Sequence, residues 1–166
     1  MIIQTERLIL IPLSIQQLDL WVNDLRRLEQ ELRCTYDAAP LEGEFGDAVK
    51  GQLKIAKKDA RNYLFHSFWM IMRKEDRSII GSADFKGVPN ENGEVEIACE
   101  LGEKYLNQGY MAETIEALCH WAKKQPRVRS IIAETKRNNL NGQYILSQCG
   151  FYKERIEDSI WWRLAY

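Results

Sequence analysis

Glu94-Val95-Glu96-Ile97-Ala98-Cys99-Glu100-Leu101 and, a few residues on, Tyr105-Leu106-Asn107-Gln108-Gly109-Tyr110-Met111-Ala112-Glu113 carry a change of period. The first run alternates apolar and polar residues and reads as a strand. From Met111 to Lys124 the apolar positions Met111, Ile115, Leu118 and Ala122 fall on one helical face. Between them lies a short polar loop with one glycine, Gly109. The first N–H groups of a helix have no partner inside it and point outward, along a dipole that favours an anion. Gly109 has no Cβ, so the backbone there can approach a ligand closely. Strand, glycine turn and helix start together predict a phosphate cradle; an ordinary turn is the alternative. There is no G-x-G-x-x-G and no G-x-x-x-x-G-K-[ST], which disfavours dinucleotide and P-loop readings.

Outward from this stretch the pattern is equally readable. Thr5–Pro12 predicts a first strand, closed by proline. Ser14 with Gln17 predicts a capping box, and Leu18, Trp21, Leu25, Leu28 and Leu32 follow at helical spacing, with Asn23-Asp24 able to split the run into two helices. Cys34–Gly43 reads as a loop. Phe45, Val49, Leu53, Ala56, Ala60 and Leu64 predict one amphipathic helix with a solvated lysine face. Phe68–Met72, Ser78–Lys86 and Glu94–Leu101 form a predicted antiparallel meander, and Val128–Thr135 is a β-branched strand. Asn138–Cys149 reads as a helix ended by Gly150, with strands at Phe151–Glu157 and Ser159–Leu164. No repeat, low-complexity tract or linker interrupts the order.

A chain of 166 residues predicts a single domain, 1–166, with a core that needs no staples. Hydrophobic residues at 45% and charged residues at 28% are ordinary for a globular protein, and a net charge of −1 gives no reason to expect nucleic acid or an anionic membrane as partner. No apolar run approaches the ~20 residues of a membrane span. The first residues lack the layout of a signal peptide, so a cytoplasmic location is expected. Cys34, Cys99, Cys119 and Cys149 are widely spaced and read as reduced thiols; with His66 and His120 alone beside them, no metal site is expected.

Three local signatures in this order resemble the GNAT superfamily of acyl-CoA N-acyltransferases, and most of all its branch of ribosomal-protein N-terminal (Rim-type) acetyltransferases. Thr5-Glu6-Arg7-Leu8-Ile9-Leu10-Ile11-Pro12-Leu13 is similar to that branch's T-E-R-L-x-L-R-P-L. Glu94–Ile97 with Gln108–Glu113 resembles its A-E-I-G-Y strand and G-K-G-Y-A-T-E loop, and Asn139 with Gly150-Phe151 matches its N…G-F ending. The chain departs from the pattern at Ile11, Leu106, Met111 and Gly142, and Leu146 stands where many relatives carry a tyrosine general acid.

The resemblance implies an α+β (mixed α/β) fold, a mostly antiparallel twisted sheet of about seven strands flanked by about four to five helices. It implies acetyl-CoA as co-substrate and direct acetyl transfer to a primary amine, on a protein N-terminus or a small molecule. The backbone of Asn107, Gln108, Gly109, Tyr110, Met111 and Ala112 is then expected to hold the pyrophosphate. The strand splays near Cys99–Leu101, freeing Cys99 and Leu101 for the pantetheine arm and the oxyanion, and Asn139 adds a hydrogen bond. Glu96, on one strand face with Glu94, Ala98 and Glu100, is the expected base acting through water; a merely solvent-facing polar strand side is the alternative. Ser147, beside the missing tyrosine, is the remaining candidate acid; otherwise the thiolate takes a proton from solvent. A homodimer is among the superfamily's habits. A catalytically silent acyl-CoA-binding module of the same fold is the alternative function.

Overall fold

The computed structural model describes residues Met1–Tyr166. In chain order it has β1 (Ile3–Gln4), β2 (Leu8–Pro12), α1 (Ile15–Asn23), α2 (Leu25–Leu32), β3 (Thr35–Tyr36), α3 (Gly43–Lys58) and α4 (Tyr63–His66). Then come β4 (Phe68–Arg73), β5 (Ser78–Phe85), β6 (Glu94–Leu101), α5 (Tyr110–Lys123), β7 (Ser130–Lys136), α6 (Leu140–Gln148), β8 (Tyr152–Ile156) and β9 (Ser159–Ala165). The strands form one sheet in the order β1-β2-β4-β5-β6-β7-β9-β8, with β3 beside β5. Neighbours are antiparallel except for β3 with β5 and β6 with β7. The seven longer strands are those the sequence predicts. β1 and β3, two residues each, are additions, β3 lying inside the segment read as a loop.

Local chemistry explains most boundaries. Ser14 caps α1 reciprocally with Gln17, at 3.1 Å in each direction. Asp24 splits the next run, accepting from the Arg27 N–H and capping α2. The single helix expected to reach Leu64 instead stops at Lys58. Asp59 ends it by bonding Asn62 and His66, and a 3₁₀ turn and α4 follow. Six α-helices result where the resemblance implied about four to five; periodicity cannot register a turn that keeps its apolar residues inward.

Apolar residues pack on both sheet faces. On one, Trp69, Ile71, Phe85, Val95, Ile97 and Ile131 meet Ile115 and Leu118 of α5. On the other, Phe68, Met70, Met72 and Ile79 meet Leu18, Trp21, Val49 and Leu53 of α1 and α3. β4 is therefore apolar at every position from Phe68 to Met72, as a strand covered on both faces must be. At about 1.5–3 kcal/mol for each fully buried large side chain, these two layers hold the sheet rigid around whatever opens between its strands.

Candidate active site

An opening does occur, between β6 and β7. Their pairing runs through Glu94↔Ser130, Val95↔Ile131 and Glu96↔Ile132 and then stops, while both strands continue. The gap therefore starts at Ile97, before the Cys99–Leu101 region expected from the sequence. The Glu96 carbonyl and the Gly102 N–H bond toward β5, at 2.9 and 2.8 Å. By alternation, the backbone groups of Cys99 and Leu101 point away from β5, into the gap. A cavity of about 150 Å³ fills the opening, lined by Cys99, Met111, Ile115, Asn139 and Leu146 among others.

The Gly109 loop lies above one end of this opening. Gly109 has φ +84° and Asn107 φ +62°, left-handed values that glycine and asparagine tolerate best. The N–H groups of Tyr110, Met111 and Ala112 have no hydrogen-bond partner, and the first bond of α5 is Glu113 N–H to the Gly109 carbonyl at 3.1 Å. A second hollow of about 280 Å³ abuts them, bounded by Asn107, Gly109, Ala112 and, from α6, Tyr144 and Gln148. Unpartnered donors, a helix dipole and a glycine without Cβ fit a pyrophosphate. Met111 lines both hollows.

The loop is braced from below by residues that the sequence reading used only as a signature. Glu113 in the first turn of α5 receives Thr5 Oγ1 at 2.5 Å, the Arg7 N–H at 2.9 Å and Arg7 Nε at 2.7 Å. Arg7 Nη1 donates to the Gln108 carbonyl at 2.9 Å, and its guanidinium sits 4.2 Å from the Tyr110 ring centre. Burial pushes the Glu113 carboxyl upward, but these hydrogen bonds outweigh it and hold the group below its ordinary value.

On the opposite sheet face the gap opens into a cleft of about 660 Å³ beneath α3, sharing Ala98, Cys99 and Glu134 with the narrow cavity. Phe45, Ala48 and Phe68 form its apolar side; Asp84, Glu100 and Glu134 supply acid. Asp84 pairs with Ala98 across the ladder and is only 9% exposed. Burial pushes its carboxyl up to about 7; Lys86 pulls it down, and Glu96 and Glu100 push it further up.

A narrow gap, a helix start with open N–H donors on one face and an acidic cleft on the other make a passage through the sheet. Residues 7–152 match the family model described as an acetyltransferase (GNAT) domain. The chain belongs to the GNAT acetyltransferase family.

The uncharacterized N-acetyltransferase YjdG of Bacillus subtilis (strain 168) is 29% identical over 150 residues, 90% of this chain and 89% of that protein. Among solved structures, the ribosomal-protein-S5-alanine acetyltransferase of Vibrio fischeri superposes with a TM-score of 0.70 at 14% identity, covering 99% of this chain and 96% of that one. The ribosomal alpha-N-protein acetyltransferase RimL, solved in complex with coenzyme A, gives 0.65 at 15% identity over 99% and 98%. At such identities the structural likeness carries the GNAT fold.

Within this GNAT domain Cys99, Asn107, Gly109, Tyr110, Met111, Ala112 and Asn139 line the two hollows, and Leu101 borders the outer one. Gln108 is exposed on the loop, its amide bonded to the Lys104 carbonyl at 2.9 Å. Asn139 caps α6 by accepting from the Gly142 N–H at 3.0 Å. Ser147 is not brought in. One residue past Leu146 is a turn of about 100° on a helix, so with Leu146 buried at the passage Ser147 is exposed. Glu96 lies next to the cleft but not in its lining, paired with Lys86 at 3.3 Å. Asp84 went unnoticed in the sequence because it sits in the run Ser82-Ala83-Asp84-Phe85, with no periodic or motif signal of its own. Burial of Cys99, with Asp84 and Glu100 nearby, raises its thiol, so it stays protonated and does not act as a nucleophile.

Proposed function

We propose that this protein is an N-acetyltransferase that moves an acetyl group from acetyl-CoA directly to a primary amine, on a protein N-terminus or a small molecule. The observation that carries the reading is the parted β6–β7 pair, with unpartnered donors at one mouth and an acidic cleft at the other. Acetyl-CoA supplies an activated acyl group as a thioester. The open N–H groups of Tyr110, Met111 and Ala112, with Asn107, Gln108 and Gly109 shaping the loop, hold its pyrophosphate. The gap-facing backbone of Cys99 and Leu101 orders the pantetheine arm and polarises the carbonyl. The Asn139 amide faces the same channel. Glu96, expected from the sequence as the base, stands beside the cleft and outside its lining, its charge balanced by Lys86 at 3.3 Å. With Leu146 apolar at the passage and Ser147 outside it, the leaving thiolate takes its proton from solvent.

Acetyl-CoA titration of the wild type and of Gly109→Trp tests the reading. A Cβ at Gly109 meets Arg7 Nη2 at 3.1 Å and φ is +84°, so a tryptophan there strains the loop and disturbs its brace. Calorimetry is expected to show saturable acetyl-CoA binding that the variant loses while its circular dichroism stays unchanged. A wild type that binds no acetyl-CoA sinks the proposal.

A further inference from the structure

The cleft beneath α3 contains a group that the acetyl-transfer reading leaves without a task, and any task for it rests on that reading. Asp84 is nine-tenths buried, and its carboxylate has neither a hydrogen bond nor an ion pair, although it borders the cleft. Lys86, two positions on and just past the end of β5, pairs with Glu96 instead. A carboxylate largely withdrawn from water and left without a protein partner costs stability, and a fold retains such a group at the wall of a cleft where a ligand completes it. Its position suits one. Its ladder partner Ala98, with Cys99 and Glu134, lines both the cleft and the gap, so the carboxylate stands where the two meet.

We propose that Asp84 is the catalytic base for the acceptor: a cationic primary amine enters from the α3 side, rests its ammonium on the Asp84 carboxylate and gives it one proton. The freed nitrogen lone pair forms a C–N bond to the thioester carbonyl carbon. The C–S bond breaks with its electron pair on sulfur. The second N–H proton reaches that sulfur through solvent, and Asp84 returns its own proton to water in the open cleft. Ammonium and acetyl-CoA thus become amide, CoA thiol and one released proton.

The charges around Asp84 fit this task. Lys86 stands just past the end of its own strand; Glu96, Glu100 and Cys99 come from β6, Glu134 and Lys136 from β7 and Glu44 from α3. Cys99 stays neutral, and Lys86 is neutralised by Glu96, leaving acid in excess where a cation is to sit. Burial brings Asp84 to about 7, where a base is half-free at neutral pH and strong enough to take a proton. Phe45 and Phe68 wall the same cleft, so an amine carrying an apolar group is favoured over a bare one.

The test has two arms. In the first, aspartate side-chain carboxyls labelled with carbon-13 are titrated in wild type and Asp84→Asn. The resonance that the variant removes is expected to titrate near neutrality; a midpoint below about 5 overturns the proposal. In the second, phenethylamine and short peptides beginning with alanine or serine are supplied with acetyl-CoA, and released thiol is measured against pH. Asp84→Asn is expected to lower kcat ~100-fold or more and to erase the rising limb near pH 7, with acetyl-CoA affinity unchanged. Asp84→Glu restores part of the rate. Undiminished kcat in Asp84→Asn, or a limb removed by Glu96→Gln instead, overturns it. If no amine is turned over, the first arm decides. Loss of acetyl-CoA binding in the wild type with Asp84 still titrating near neutrality sinks the transferase reading instead.

Discussion

Arg7 and Glu113 stand 106 positions apart, yet they set the shape of the loop proposed to receive the phosphates. One guanidinium holds the Glu113 carboxylate, the Gln108 carbonyl and the Tyr110 ring together, a planar fork that lysine cannot reproduce. Arg7 is partly exposed, so its contacts are screened and contribute about 1 kcal/mol to stability. Arg7→Ala is expected to lower stability to urea by that amount and to weaken acetyl-CoA binding ~5-fold, because the loop loses its anchor while keeping its donors. Arg7→Lys should restore little of either, and unchanged affinity in both variants removes the brace from the binding argument. The Thr5-Glu6-Arg7 signature was legible in the sequence; its partner was not, since no local rule links a strand start to a helix turn so far along the chain. Ser147 failed for the opposite reason. Its neighbourhood in sequence was right, and one helical step put it on the wrong side.

The start of α6 meets the start of α5 at the passage, and here a glycine matters through space rather than flexibility. A Cβ on Gly142 would come within 2.6 Å of Asn139 Nδ2 and 3.1 Å of Oδ1. Gly142→Ala gains about 0.5–1 kcal/mol of helix propensity and loses about 1 kcal/mol of N-cap as the amide is displaced. The thermal midpoint is therefore expected to move little, while acetyl-CoA affinity falls because Asn139 no longer faces the channel. A variant that binds as the wild type does, with a raised midpoint, would show that Asn139 is a cap alone. The longer elements were readable: β6 spans Glu94–Leu101 as its alternation indicates, and Gly150 ends α6 in the left-handed conformation with φ +92°, whereas the two-residue β1 and β3 were not. The misread element was α3, because inward apolar spacing persists through Asp59 even though the backbone turns there.

Across the whole molecule, the sheet separates two apolar layers, and the gap between β6 and β7 opens through it. Asp84 gives this arrangement a pH signature. In the unfolded chain its carboxyl titrates near 3.8, and in the fold near 7, so the fold prefers the protonated form. That preference is present in full below about pH 4 and is lost as the pH climbs to about 7, beyond which nothing more is lost. Denaturant unfolding of Asp84→Asn is accordingly expected to match the wild type at pH 4 and to exceed it by roughly 2–4 kcal/mol at pH 8. A variant equally destabilised at both pH values would place the charge of Asp84 outside the stability balance. The sequence by itself determined the order of the longer strands and helices, the glycine turn before α5, the capping residues and the family, because these depend on spacing within a few residues and on short motifs. Tertiary structure alone decided where the β6–β7 gap begins, that Arg7 holds the loop, that Leu146 rather than Ser147 faces the passage, and that Asp84 is largely buried without a protein partner. Desolvation and long-range contact arise only when segments far apart in the chain exclude water from one another.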